Sequence, residues 1–261
     1  MSTRHIGGRG AILEYWLIDA RRWWRSVVIV GTLTPLFYVL ALGVGLGTVV
    51  DRAGTNSLGV PYLVFVAPAL LVAAAVQIAA GDATYPVLSK FKWERSFHGM
   101  AATPLTPAQI SDGTVLWIAL RAVLGSAVYL AIMSAFGATQ RWLAVLAVPA
   151  ATLCALAIAT PVAAYSASRE NEGQGFNVLM RFIIVPMFLF SGTFYPVDRL
   201  PEWGRWLAYA TPLWHGTQLA RAAAIGGQSA AEVLGHIAYL TAMFLVGLVL
   251  ARRCFRTRVE K

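Results

Sequence analysis

The sequence predicts an all-α integral membrane protein with six transmembrane helices and an N-terminal amphipathic interface helix. Three observations predict it. Hydrophobic residues make up 58% of the 261 and charged residues only 13%, against roughly a quarter charged in a soluble domain. Apolar runs of roughly 20 residues recur along the chain, the length that a hydrocarbon core of about 30 Å requires. A third stretch, FLFSGTFYPVDRLPEWGRWLAYATPLWHGTQLAR from Phe188 to Arg221, is too apolar for a free loop. Proline at 196, 201 and 212 also breaks it too often for a spanning helix.

The first 26 residues form a cytoplasmic arm. Within it, AILEYWLIDARRWWRS places Ile12, Tyr15, Trp16, Asp19 or Ala20, and Trp23 at helical spacing, with Arg21, Arg22 and Arg25 at its C-terminal end. That pattern predicts a helix lying at the membrane surface. The transmembrane domain covers 27–251, with spans over about 27–50, 60–81, 113–137, 142–167, 176–195 and 233–251. The first run has no A-x-A site after it and is longer than the ~7–15 residue core of a signal peptide, so it reads as an uncleaved span. Pro35 lies inside it and is the expected site of a kink. Residues 252–261 form a basic tail. The two cysteines, Cys154 in an apolar helix and Cys254 beside the tail, fall to different compartments, and no disulfide is expected.

Lysine and arginine set the orientation. Fifteen lie on the arm, the second and fourth loops and the tail, against five on the other side (Arg52, Arg141, Arg199, Arg205, Arg221), with Arg121 inside span three. Both termini and the loop after span two are therefore expected in the cytoplasm, and the aromatic segment outside. The net charge of +9 serves this orientation and implies no nucleic-acid partner. Arg121 is expected to snorkel to the inner headgroups, and Arg181 to pair with Glu170 or Glu172 across a short inner loop. Asp198, Arg199, Glu202 and Arg205 form a solvated outer cluster, and His215 beside Trp214 reads as an interfacial packing residue.

The sequence excludes several chemistries. It contains no G-x-x-x-x-G-K-[ST] phosphate loop, no H-E-x-x-H, no cysteine–histidine metal spacing and no G-x-S-x-G elbow. No ladder of intramembrane acids marks an ion relay. Catalytic, cofactor and metal residues are therefore none in this chain; it works passively or another subunit drives it.

Two segments carry the functional signal. On the inner side, Lys92, Trp93, Glu94 and Arg95 precede a glycine break and a rigid elbow, Thr103, Pro104, Leu105, Thr106 and Pro107, in which Thr106 and Pro107 are an N-cap and first-turn pair. A mixed-charge helix held off the membrane this way suits a peripheral partner, and equally a well-capped solvated connector. On the outer side, Phe190, Phe194, Tyr195, Pro196, Trp203, Trp206 and Trp214 fit the membrane–water interface, where aromatic rings bury a body and wet a tip.

The run RSFHGMAATPLTPAQI, from Arg95 to Ile110, resembles the loop between spans two and three of ABC-2-type permeases. These are the membrane subunits of ABC exporters in the daunorubicin-type drug-resistance and nodulation-oligosaccharide branches. The pattern F-x-F-S-G-T-F-Y-P-x-x-x-L-P-x-W from Phe188, continued by A-x-x-x-P-L-W-H-x-x-x-L-A-R from Ala208, is similar to the same family's signature region. The resemblance covers residues 11–252. It implies that the inner loop, from Lys92 to Arg95 with the Thr103–Thr106 elbow, docks on a separate ABC ATPase subunit present in two copies. That subunit would bind ATP and magnesium. It implies a second permease subunit, identical or related. It also implies re-entrant helices over about 196–216 that cap a translocation path. The expected function is export of a hydrophobic or amphiphilic cargo, a drug or lipid, across the cytoplasmic membrane. A lipo-oligosaccharide cargo, a passive channel and a scaffold remain the other readings.

Overall fold

The architecture is set by where apolar runs are long enough to stay helical and where proline, glycine or a cap stops them. The computed structural model describes residues 8–22, 24–52, 58–170 and 174–260, and among these there is no β-strand. Among the described residues, five helical stretches are long and apolar enough to cross a membrane: Gly31–Arg52, Tyr62–Lys92, Pro107–Ala135, Trp142–Ser168 and Ala230–Val259. A shorter apolar helix, Gly175–Phe190, takes the place of the expected span over 176–195. At 1.5 Å per residue it reaches about 24 Å, less than the ~30 Å hydrocarbon core. Its early end is local: Gly192 has φ +72°, the left-handed conformation that closes helices and that glycine adopts without a Cβ penalty.

The chain begins with α1 (Gly8–Ala20), which buries Ile12 and Trp16; Trp23 lies outside the described residues. The first long stretch is composite. α2 (Trp24–Tyr38) contains Pro35, then gives way to a π-helical segment, Val39–Leu46, and to α3 (Gly47–Arg52). The next helix, α4 (Tyr62–Ala83), is the most enclosed. It continues past a break at Thr84 into α5 (Tyr85–Lys92), and a short α6 (Ser96–Ala101) follows. Span two is thus longer than expected, and part of what reads as loop is helix. α7 (Pro107–Ala135) and α8 (Ala147–Ser168) complete the centre of the bundle.

Close packing comes from small side chains. α4 buries Ala67, Ala73 and Ala79, and α8 buries Ala151, Ala155 and Ala159. Lipid tails are as apolar as leucine, so helices in a bilayer associate through close backbone approach. The last helix, α13 (Ala230–Val259), meets α8 at Gly247, where a Cβ would collide with Thr160 and Pro161. The basic segment expected as a separate tail continues α13 instead. Phe255 is buried, with its ring 5.0 Å from Phe91 and 5.6 Å from Phe97, so both chain ends meet the 93–106 turn at one end of the bundle.

Candidate functional site

At that end, α5 and α6 are joined by Trp93, Glu94 and Arg95. Trp93 is 54% exposed. Arg95 has φ +52°, a conformation rare for residues other than glycine, and it turns the chain sharply into α6. Thr103 and Pro104 are exposed, while Leu105 packs against the core. Thr106 caps α7: its Oγ1 accepts from Gln109 N at 3.2 Å, and Gln109 Oε1 accepts from Thr106 N at 2.9 Å. With Pro107 in the first turn, this is a full capping box. The expected N-cap and first-turn pair is therefore present.

Ion pairs centred on Lys90, Asp112 and Arg121 pin the same end. Lys90 is 3% exposed, and its Nζ lies 2.9 Å from Asp19 and 2.7 Å from Glu94. Asp112, in the first turns of α7, accepts from Arg252 Nε at 2.6 Å and pairs with Arg9 at 2.8 Å. Arg121 does not snorkel alone to the headgroups, as the sequence leads one to expect. Its Nε sits 3.0 Å from Asp82, across the α4–α7 contact, because an intramembrane cation is costly without a partner. Arg181 is exposed, and Glu172, one of its expected partners, lies outside the described residues.

From α9 (Gln174–Leu179), whose Phe176 ring still meets Tyr85 at 4.9 Å and Tyr165 at 6.0 Å, the chain runs through a π-helical segment Met180–Ile184 and α10 (Val185–Phe190) to the opposite end, built from a 3-10 turn Val197–Arg199, α11 (Glu202–Ala210) and α12 (Pro212–Ala224). Pro201 and Thr211 start the last two helices, and Thr211 Oγ1 accepts from Trp214 N at 3.4 Å. α12 packs among α4, α8 and α13. A Cβ at Gly216 would come within 2.6 Å of Cys154, whose thiol donates to Pro212 O at 3.3 Å. Arg221 anchors this end. It is 8% exposed, its Nη2 donates to Gly192 O at 2.8 Å and Thr193 O at 3.3 Å, and its Nε donates to Phe65 O at 3.2 Å. Its guanidinium stacks 3.7 Å from the Phe65 ring centre.

A second contact joins α12 to α13. His215 Nδ1 lies 2.8 Å from His236 Nδ1, and His215 Nε2 lies 3.0 Å from Tyr209 O. A carbonyl only accepts, so this network puts the proton of His215 on Nε2 and makes His236 the donor between the rings. His215 lies outside the spanning helices. Burial, with His236 beside it, lowers its pKa from 6.5 to about 4.

The ABC-2 type transporter family matches residues 14–225 of the chain. The chain belongs to that family. It is 30% identical to "Nodulation protein J" of Rhizobium leguminosarum bv. viciae over 249 residues, covering 92% of this chain and 93% of that protein. The namesake from R. leguminosarum bv. trifolii is 30% identical over 226 residues (86% and 84%), and that from R. meliloti strain 1021 is 27% identical over 241 (90% and 89%). ABC-2 permeases are multi-pass membrane subunits of transporters, not catalytic alone, and they work with an ABC ATPase.

Within this permease the sequence-derived residues divide unevenly. Trp93, Arg95, Thr103 and Pro104 are each exposed, and Lys92 is half-buried. Glu94 is also exposed but is tied down, accepting from Lys90, from Ser89 Oγ at 3.2 Å and from Tyr15 Oη at 3.4 Å. At the other end, Phe194 packs on Phe188 (5.1 Å) and Tyr195 Oη donates to Leu189 O (2.9 Å). Phe190 contacts Trp203 at 6.3 Å, and Pro196 opens the 3-10 turn. Trp203 and Trp206 are 64% and 74% exposed, while Trp214 packs among Tyr209, His215 and His236. The aromatics therefore form an inward-packed group and an outward pair. Arg205 donates to Leu200 O and Asp198 O rather than to a carboxylate. Sequence reasoning missed Lys90, Arg221 and the His215–His236 pair. Each depends on a partner 21 to 156 residues away; only the i,i+4 spacing of Lys90 and Glu94 gave a local signal.

Proposed function

We propose that this chain is the permease of an ATP-driven exporter, with the 93–106 turn as the ATPase docking site. The observation that carries this reading is the exposed Trp93 beside a turn otherwise pinned by a capping box and ion pairs. Such a surface can receive a push without collapsing. Two ATPase copies, binding ATP and magnesium, act on two permeases, identical or related. Both termini lie in the cytoplasm, and α9–α10 completes a sixth crossing. α11 and α12 re-enter the outer face as the cap of the path, with Phe194 and Tyr195 at its hinge. The apolar spans favour a hydrophobic or amphiphilic cargo, a drug or lipid, moving outward across the cytoplasmic membrane.

A lipo-oligosaccharide cargo is the second reading. It is favoured by the "Nodulation protein J" relatives and by a cavity of about 480 Å³ at the cap. Trp214, His215, Gln218, Gln228, His236 and Tyr239 are among its lining residues, a mix of flat rings and hydrogen-bonding side chains.

The test is purification of the tagged chain from its native membranes. An ATP-hydrolysing subunit is expected to co-purify, and Trp93→Ala to weaken that association about tenfold, as loss of an aromatic anchor does. Undiminished association in Trp93→Ala would move the docking site elsewhere.

A further inference from the structure

We infer that Lys90 is a positioning residue that locks the docking turn to α1, so that movement at Trp93 is delivered to α7. The inference rests on the docking reading above. A lysine at a membrane boundary ordinarily snorkels its ammonium to water. Lys90 does the opposite, with its side chain 4% exposed. Its ammonium meets a carboxylate of α1 (Asp19, 2.9 Å) and the carboxylate next to Trp93 (Glu94, 2.7 Å). The rings of Tyr15 and Trp16 lie 5.0 and 5.2 Å away. A compact ammonium with three donors suits partners that are not coplanar, where a flat guanidinium would not. Because the cation is buried, it is held by these two acids together, and losing Asp19 leaves it on Glu94 alone with α1 released from the turn. α1, α5 and the turn therefore move as one body.

α1 in turn lies flush on α7. Trp16 stacks on Trp117 at 5.9 Å with ring planes 6° apart. Ile12 packs so closely on Gly113 that a Cβ there would come within 2.7 Å of its Cγ2. Arg9 pairs with Asp112 at 2.8 Å. The physical route is Trp93 and Glu94, then Lys90, then Asp19 and α1, then the first turns of α7.

The test needs no knowledge of the cargo. The complex of chain and ATPase is compared by amide hydrogen exchange at rest and after trapping with ATP and vanadate. In the unmodified complex, trapping should change exchange in residues 8–20 and 107–118 as well as in the turn. In Asp19→Asn, which leaves Lys90 paired with Glu94 and the fold intact, the change should persist at the turn. It should shrink about fivefold or more in α1 and α7, the scale of an ordinary coupling free energy. Lys90→Met should do the same, and Lys90→Arg should restore part of the response. A merely structural role would alter resting exchange without altering the difference on trapping. An Asp19→Asn complex that transmits the full change overturns the inference while leaving docking intact. Should trapping leave the turn itself unchanged in the unmodified complex, the docking reading fails and this inference fails with it.

Discussion

At the end that holds α1 and the 93–106 turn, cations meet carboxylates: the buried Lys90 with Asp19 and Glu94, and the partly exposed Arg252 with Asp112 and Arg121 with Asp82. At the cap end, the buried Arg221 donates to the carbonyls of Phe65, Gly192 and Thr193, and Arg205 to those of Leu200 and Asp198. The two devices differ in what they demand. An ion pair needs both charges and tolerates small shifts of backbone. A guanidinium on carbonyls needs the backbone held in one shape, because the acceptors are fixed to the main chain. The turn end is thus specified by charge and the cap end by conformation. The cap fork also sits where α10 stops, and a cation there complements the negative end of the helix dipole.

The largest expected effect follows from removing the fork. Arg221→Ala should cost about 3 kcal/mol or more in thermal unfolding of the purified protein, since it strands buried acceptors that had charge-assisted partners. Arg221→Lys should recover little, because one ammonium cannot span three carbonyls as the guanidinium does. Unfolding of Arg221→Lys at the unmodified temperature would break the comparison, for charge alone would then suffice at the cap.

The next effect contrasts two left-handed residues. Gly192→Ala should destabilise by about 1–2 kcal/mol from backbone strain alone, and its Cβ would also press within 2.5 Å of Val197. Arg95 already occupies that region at φ +52°, so Arg95→Gly should be neutral or stabilising by up to ~1 kcal/mol. Calorimetry of both variants checks the pair; equal and opposite signs sharpen the case that conformation governs the cap.

Much of this was legible in the sequence. Apolar length placed the five long helices, Thr106–Pro107 marked the start of α7, and the prolines at 196, 201 and 212 marked the joints of the cap. Helix ends were less legible. Hydropathy cannot see that Gly192 closes α10 early, that α5 carries helix past Asp82, or that α13 runs on through Arg252 to Val259. Buried charges were least legible. Lys90 and Arg221 look like ordinary topology markers, because a charge count weighs each cation alone. Only the fold brings Asp19 to the first and the carbonyls of residues 65, 192 and 193 to the second.

The smallest effect concerns the histidine contact between α12 and α13. In an unfolded chain His215 takes up a proton near pH 6.5; in the folded cap it does so near 4. Between those values the unfolded chain binds more protons, so the stabilising contribution is complete above 6.5 and declines as pH falls towards 4. Protonating both rings would also set two cations 2.8 Å apart, where neutral rings share one hydrogen bond. Half-exposure screens the effect. Amides over 209–224 should therefore exchange on the order of threefold faster at pH 4.5 than at 7 once intrinsic rates are divided out, less than the tenfold that a full pKa unit would give. His215→Gln should flatten that dependence, since an amide takes no proton, whereas His236→Gln should reduce it only in part, because burial, the larger cause of the His215 shift, remains. A pH response that survives in His215→Gln would place the sensitivity outside this contact, and leave the cap governed by backbone shape alone.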